Sequence, residues 1–269
     1  MPGFALLTCP LCGQNLTSRE GALRCPEAHT YDVARQGYVN LLSGGAQTGT
    51  ADTAEMVRAR ADFLAAGHYA PLAEAIARTA ARLSPQAILD AGTGTGYYLA
   101  AVLDALPTAI GLGLDLSKYA LRRAARAHER AAAAVWDVWQ PLPVRSAAVD
   151  LVLNVFAPRN APEFARVLRP DGALLVVTPT PAHLRELRAK AGTLEVDAAK
   201  EERLDRTLSG HFELAHTELL EYPLTLSAAE ATNAVAMGPS AHHAPRALEG
   251  DQQVTASFRL SLYRPAPQP

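Results

Sequence analysis

The sequence predicts an α/β fold: a mostly parallel, seven-stranded sheet with helices on both faces, entered through a small metal-stabilised N-terminal module. Three observations predict it. From residue 85 onward, short apolar runs alternate with amphipathic segments at the length of βα units. The first unit passes through Asp90-Ala91-Gly92-Thr93-Gly94-Thr95-Gly96, three alternating glycines between an apolar run and an alanine-rich segment. All three cysteines of the 269-residue chain, Cys9, Cys12 and Cys25, fall in its first tenth.

The N-terminal module comes first. Cys9-Pro10-Leu11-Cys12 is followed, after twelve residues, by Cys25-Pro26-Glu27-Ala28-His29. C-x2-C and C-x3-H offer four ligands on two knuckles joined by a short hairpin, the tetrahedral set of a closed structural zinc site. Gly13 and Gly21 supply its turns. The segment has few apolar residues of its own, so metal binding supplies much of its folding free energy. Residues 1–42 are read as this zinc-binding unit, 43–84 as a linker with helices, and 85–269 as the α/β domain.

The tract 43–50 is rich in Gly, Ser and Thr, a linker or a substrate-ordered loop. Asp52 is read as the N-cap of a helix over 53–66, with Glu55 at capping-box spacing. A second helix, 71–83, follows Gly67-His68-Tyr69-Ala70-Pro71. Strands are expected near 87–91, 109–114, 133–136, 149–155 and 172–178. Helices are expected near 96–106, 117–129, 160–168 and 181–190. Leu168-Arg169-Pro170-Asp171-Gly172 reads as a sharp turn, and β-like runs at 212–222 and 254–263 as a closing antiparallel hairpin. The proline-rich tail after Tyr263 reads as a frayed end.

The glycine loop carries the chemistry. Glycines let backbone N–H groups approach a ligand where a Cβ would clash, and the helix start adds partial positive charge. The spacing is G-x-G-x-G rather than the G-x-G-x-x-G of dinucleotide enzymes, with Asp90 ahead of it; that pattern is more typical of S-adenosylmethionine (SAM) sites. Asp115, at the end of the second strand, is placed to accept from ribose hydroxyls. Asp137, after the third strand, is the candidate for the adenine amine, with Trp136 and Trp139 beside it. After the fourth strand, Asn154-Val155-Phe156-Ala157-Pro158-Arg159-Asn160 should border the sulfonium and meet the methyl acceptor; an amide, a ring and a proline there suit a flat heterocycle. Phe156 as ordinary core remains the alternative. His183, after the fifth strand, faces the site, and with Asn154 it is the candidate for a catalytic role. His242 and His243 lack a nearby carboxylate and are not read as a second metal site. Lys118 with Arg122, Arg123, Arg126 and Arg130 makes a basic helix stretch, a solvated face or an RNA phosphate contact.

Composition sets bounds. Net charge is −2 and the pI about 6.4, which counts against nonspecific nucleic-acid binding. No apolar run approaches the ~20 residues of a membrane span. The start lacks the charged and apolar regions of a signal peptide, so a cytoplasmic protein with no membrane partner is expected.

Taken with Tyr31-Asp32-Val33-Ala34-Arg35-Gln36-Gly37-Tyr38-Val39-Asn40-Leu41-Leu42 and Gly67-His68-Tyr69, the zinc knuckles and glycine loop resemble the 23S ribosomal RNA guanine-N1 methyltransferases of the RlmA/TlrB type. The likeness runs from about Cys9 to Tyr263. Residues 154–160 and Met237-Gly238-Pro239-Ser240 look like the actinobacterial tylosin-resistance branch. The resemblance implies a Rossmann-like class I SAM-dependent methyltransferase fold, and methylation of N1 of a guanine in hairpin 35 of 23S rRNA. It implies one zinc on Cys9, Cys12, Cys25 and His29, SAM contacts at Tyr69, Thr95, Gly96 and His183, and a homodimer whose cleft holds RNA between zinc arms. One departure is that residues 1–70 hold five arginines against six acids, so no basic RNA-binding surface is marked there. Two other readings compete: a small-molecule SAM methyltransferase, which needs no recognition arm, and a non-catalytic zinc-ribbon nucleic-acid binder, which needs no intact glycine loop.

Overall fold

A computed structural model describes residues 1–42, 51–191, 207–238 and 248–266. The 43–50 tract, Pro239, Ser240, His242 and His243 lie outside the described residues. The chain opens with a 3-10 turn, Pro2–Leu6. A three-stranded antiparallel sheet follows: β1 Thr17–Arg19, β2 Ala22–Arg24 and β3 Thr30–Asp32. Next come β4 Val39–Asn40, α1 Ala54–Ala65 and α2 Ala70–Leu83. The α/β part contains β5 Ala87–Ala91, α3 Tyr97–Asp104, β6 Ile110–Asp115, α4 Lys118–Ala124, β7 Ala131–Val135, β8 Val149–Val155, α5 Ala161–Val167, β9 Leu168–Pro179 and α6 Arg185–Ala191. It closes with β10 Phe212–Leu226, α7 Ala228–Ala236 and β11 Gln252–Pro265.

The main sheet has the order β10-β11-β9-β8-β5-β6-β7-β4. Seven strands are the expected ones. The eighth, β4, is two residues lent by the N-terminal module, pairing parallel to β7 through Val39 and Asn40. The inner strands β5 to β9 run parallel, and the long β10–β11 hairpin is antiparallel. Every residue of β5 and β7 is buried, as a sheet covered on both faces requires. Strand order reverses between β5 and β8. The glycine loop and the 156–160 loop meet there beyond the carboxyl ends of the strands, the place where ligands of open α/β sheets sit.

Two cores fill the two faces. On one, Phe4, Leu7, Cys9, Leu23, Cys25 and Leu41 of the N-terminal module share a buried cluster with Leu89, Leu112, Leu114, Val152 and Phe164. The zinc-binding segment is therefore continuous with the sheet's own core. On the other face, Phe63, Leu72, Ile76, Leu99 and Leu103 of the helices pack on Ile88, Leu151, Leu153, Leu175 and Phe258. No described helix is long and apolar enough to cross a membrane.

Local expectations are adjusted at four points. Leu168-Arg169-Pro170-Asp171-Gly172, expected as a sharp turn, is instead the start of β9, with a register shift where it pairs with β8. Thr53, not Asp52, caps α1, its hydroxyl accepting from the Met56 N–H at 3.3 Å; Asp52 is drawn off by Arg60. The capping box expected there occurs on α7, where Ser227 and Glu230 satisfy each other's backbone N–H groups. The helix expected over 117–129 is regular only to Ala124. Arg130 turns inward, its guanidinium donating to the carbonyls of Leu103, Leu106 and Ala109 at 2.5–2.6 Å, and so leaves the exposed basic face to its neighbours.

The N-terminal turn sits close to the sheet. A Cβ built on Gly3 would lie 2.0 Å from the Gly111 carbonyl oxygen in β6. Gly3→Ala must push the turn off the sheet, and a loss of about 1–3 kcal/mol in thermal or urea unfolding is expected. Unchanged stability would mean that the turn is not docked there.

Candidate active site and metal centre

The metal centre is built by two knuckles. The Cys9 carbonyl accepts from the Gly13 N–H at 2.8 Å, and the Cys25 carbonyl from the Ala28 N–H at 3.0 Å, which folds each pair of ligands to one side. Gly13 (φ +72°) makes the first turn, and Ala28 is held at φ +63° in the second. The His29 Nδ1 lies 3.4 Å from the sulfurs of both Cys9 and Cys25, and the Cys12 and Cys25 sulfurs are 3.6 Å apart. A tetrahedral zinc held at about 2.3 Å by sulfur and about 2.0 Å by nitrogen sets ligand–ligand edges of about 3.5–3.8 Å. All four donors lie within 4.8 Å of one another, close enough for the set to hold one such ion. Tyr31 places its hydroxyl 3.2 Å from the Cys9 sulfur. Burial opposes ionisation of that thiol, but Tyr31 and the backbone at Leu11 and Cys12 outweigh it and bring its pKa down to about 6.

The second site lies at the strand ends. β5 delivers Asp90, 2% exposed, into the turn. Gly92 (φ +86°) and Gly96 (φ +80°) are dictated by close approach. A Cβ on Gly92 would meet Ala157 at 2.3 Å, and one on Gly96 would meet Ala124 at 2.9 Å. The N–H groups of Gly92 and Thr93 both donate to the Leu114 carbonyl at 2.9 Å. Asp115 clamps the loop: one carboxylate oxygen accepts from the Gly94 N–H and the other from the Ser117 N–H, both at 2.8 Å. Each oxygen keeps a lone pair for a further donor such as a ribose hydroxyl. Thr95 is almost fully buried behind the loop.

Asp90 is the electrostatic feature of this loop. Its Oδ2 accepts from the Thr93 hydroxyl at 2.7 Å, while its Oδ1 is buried without a hydrogen-bond partner. Burial pushes its pKa up to about 7, against the Thr93 hydrogen bond and with a smaller push from Asp115. A carboxylate oxygen left bare in a buried cradle fits a ligand that brings a cationic N–H donor, as the amino group of SAM does.

Asp137 follows β7, its carboxylate accepting from the Trp139 N–H at 3.0 Å. With Leu116 and Trp136 it lines a cavity of about 900 Å³ that reaches Cys9 and Gly13 of the zinc module. Trp139 is 62% exposed, so it does not fill core.

Tyr69 and His183 meet on the other side. Tyr69, at the start of α2, is buried, and its hydroxyl lies 3.0 Å from His183 Nε2. The Ser257 N–H donates to His183 Nδ1 at 3.2 Å. Nδ1 is thus the acceptor, and the neutral ring carries its proton on Nε2, donating to Tyr69. Desolvation holds the His183 pKa down at about 3, with Arg188 adding to it. Both ring nitrogens are thus engaged inside the protein, whereas the expected base role would use a free lone pair. Asn154 is likewise enclosed. It is 0% exposed, and its Nδ2 donates to the carbonyls of Ala91 (3.2 Å) and Pro158 (2.8 Å), bracing the end of β5 against the 156–160 loop. Its Oδ1 is buried without a hydrogen-bond partner, so the side chain braces the strand end and still keeps one acceptor unspent.

The remaining motif residues find structural work. His68 sits 3.0 Å from Glu230 of α7, and its carbonyl accepts from the Tyr222 hydroxyl at 2.9 Å, which locks α2 to the hairpin. Sequence reasoning missed Arg60, which ion-pairs with Asp52 and donates to the Met237 carbonyl at 2.8 Å, while the Asp52 carbonyl accepts from the Ser117 hydroxyl at 2.8 Å. Nothing in the local pattern marks a residue of α1 as a brace for the end of β6. It also missed the aromatic set around Phe258, which touches Tyr69 (5.0 Å between centroids), His183 (4.6 Å) and Phe156 (5.6 Å).

Comparison with known proteins matches both sites. Residues 7–44 match the family described as "RlmA, N-terminal", and residues 88–172 the one described as "Methyltransferase domain". A protein of Streptomyces fradiae named 23S rRNA (guanine(748)-N(1))-methyltransferase is 50% identical over 273 residues, covering 97% of each chain. A Micromonospora griseorubida protein, provisionally assigned as a 23S rRNA (guanine-N(1)-)-methyltransferase, is 52% identical over 96% of this chain and 97% of its own. A Bacillus subtilis protein with the same provisional assignment is 37% identical over 69% of this chain and 68% of its own.

Two outcomes follow from this geometry. Native mass spectrometry should find one zinc per chain and none in Cys25→Ser. Chelation should speed hydrogen exchange at the Leu41 N–H, which bonds to the Val135 carbonyl at 3.3 Å, well before the inner strands respond. Equal protection with and without metal would uncouple the module from the sheet. For Asp90, the native pKa of about 7 stands above the ordinary 3.8, so the folded state loses stability as pH rises between those values. Asp90→Asn should therefore melt higher than wild type at pH 8 and equally near pH 4, while binding SAM more weakly throughout. A lower melting temperature at pH 8 would refute the strained carboxylate.

Proposed function

The chain belongs to the 23S rRNA (guanine-N1)-methyltransferase family, a SAM-dependent group with a structural zinc, and from that footing we propose its target and setting. The substrate is a guanine in hairpin 35 of 23S rRNA, methylated at N1, at the position given by the name of the Streptomyces fradiae relative, 748. The observation that carries this reading is 50% identity to that relative over 97% of both chains, across zinc module and glycine loop alike. The product would protect the ribosome against tylosin-type macrolides, as the resemblance of residues 154–160 to the tylosin-resistance branch implies. The enzyme would act where rRNA is made, in the cytoplasm, as a homodimer holding RNA in its cleft. Residues 1–42 would serve as the recognition arm, 43–84 as the connection and 85–269 as the catalytic domain.

SAM, when bound, supplies the electrophilic methyl group. Asp115 and the Gly92–Gly96 loop, with Thr95, would hold its ribose and methionine parts; Asp90 Oδ1 would take the amino group and Asp137 the adenine edge. Tyr69 receives a proton donor from His183, so its own hydroxyl hydrogen is left to point into the site. Guanine N1 carries a weakly acidic proton, and with both His183 nitrogens and the Asn154 N–H groups engaged inside the protein, the chain's contribution would be placement of the base beside the methyl donor.

A primer-extension assay tests the target, because N1-methylation blocks pairing and halts reverse transcriptase. Zinc-loaded protein and SAM with unmodified 23S rRNA should give a new stop in hairpin 35, absent with Asp90→Ala. SAM binding without a stop would overturn the assignment of this substrate.

A further inference from the structure

The 156–160 loop contains a residue that the fold does not account for. Of the six phenylalanines, Phe4, Phe63, Phe164, Phe212 and Phe258 are at most 5% exposed, whereas Phe156 is 43% exposed. Its backbone is also left-handed, at φ +55°, a conformation that glycine or asparagine adopts readily and a bulky residue does not. The N–H of Phe156 is still held by the sheet, donating to the Val177 carbonyl at 3.1 Å. The next residue, Ala157, is pressed against Gly92. The chain thus turns out of β8 at this one residue, beside the glycine loop, and a strained position carries a large ring rather than a small residue.

That ring is braced on its buried side. Tyr98 meets it nearly edge-on (6.3 Å, 76°), and Phe258 packs at 5.6 Å and 43°. Phe258 is in turn fixed by Tyr69 and His183. The rest of the ring is exposed, directly after β8 at the strand-order reversal, where a ligand of this fold sits. A fixed, half-exposed aromatic face with no charge of its own suits a flat heterocycle stacked by its π-surface.

We propose that Phe156 is the stacking platform for the target guanine, holding the base so that its N1 edge meets the methyl donor. The proposal rests on the guanine-N1 reading of the site and adds the residue that seats the base. Phe156→Leu keeps apolar bulk and loses the π-face; Phe156→Trp keeps the face. The full-length, zinc-loaded protein is assayed on unmodified 23S rRNA by primer extension, alongside SAM affinity and melting temperature. Phe156→Leu and Phe156→Ala are expected to lose about 10- to 100-fold in kcat/KM for RNA, at unchanged SAM affinity and stability. Phe156→Trp should stay within about threefold of wild type. Wild-type activity in Phe156→Leu overturns the platform. So does a loss matched by an equal loss of SAM affinity or of melting temperature, which would make the ring part of the cofactor pocket or the fold. If wild type itself leaves no stop, the guanine reading fails and the platform with it; a wild-type stop with unaffected variants removes the platform alone.

Discussion

The turn from Asp90 to Gly96 keeps its shape because the neighbouring strand holds it. Leu114 accepts two of its N–H groups and Asp115 a third, so the end of β6 templates the loop that follows β5. Everything chemical in the molecule depends on that pairing. It keeps Asp115 against the loop and leaves Asp90 buried with one bare oxygen. It also fixes how near Ala157 and Ala124 can come, which only glycine at 92 and 96 permits. The parallel register of β5 and β6, with Ala91 opposite Leu114, is what brings these groups together, so strand pairing and ligand geometry are one constraint.

The zinc module extends the same logic to the sheet's far edge. A 40-residue segment with so few apolar side chains cannot fold on its own core. Here it borrows one: Leu7, Leu23 and Leu41 are buried with Leu112 and Leu114, and Val39 and Asn40 add a strand beside β7. Zinc orders the knuckles, and the sheet supplies the hydrophobic contact. A module mounted this way moves with the sheet, and the cavity running from Cys9 and Gly13 to Asp137 spans the seam between them.

Much of this was legible in the sequence, and for physical reasons. Period and length set the inner strands β5 to β9, because strands buried on both faces read as unbroken apolar runs. Ligand spacing set the metal centre, because C-x2-C and C-x3-H close only one kind of turn. Less local features did not show. β4 is two residues long and has no periodicity to detect. Asp52 has the chemistry of a cap, but Arg60 competes for it from two turns along the helix. Arg130 looked like its basic neighbours until three carbonyls at the end of α3 claimed it. In each case a specific partner in the fold overrode or supplied what local preference alone does not show.

The same override decides what the polar groups at the site can do. His183 has the residue type of a base and the position of one, yet Ser257 and Tyr69 consume both its nitrogens, and desolvation keeps it neutral. Asn154 spends its N–H groups on Ala91 and Pro158. These side chains hold strand ends and rings at fixed positions instead of exchanging protons. A site organised this way gains rate through orientation, since holding two reactants in near-attack geometry removes about 7–11 kcal/mol of barrier at best. For a methyl transfer that needs no covalent intermediate, rigidity around the reacting groups is what such a site requires, and the hydrogen bonds of His183 and of the Asn154 N–H groups contribute it.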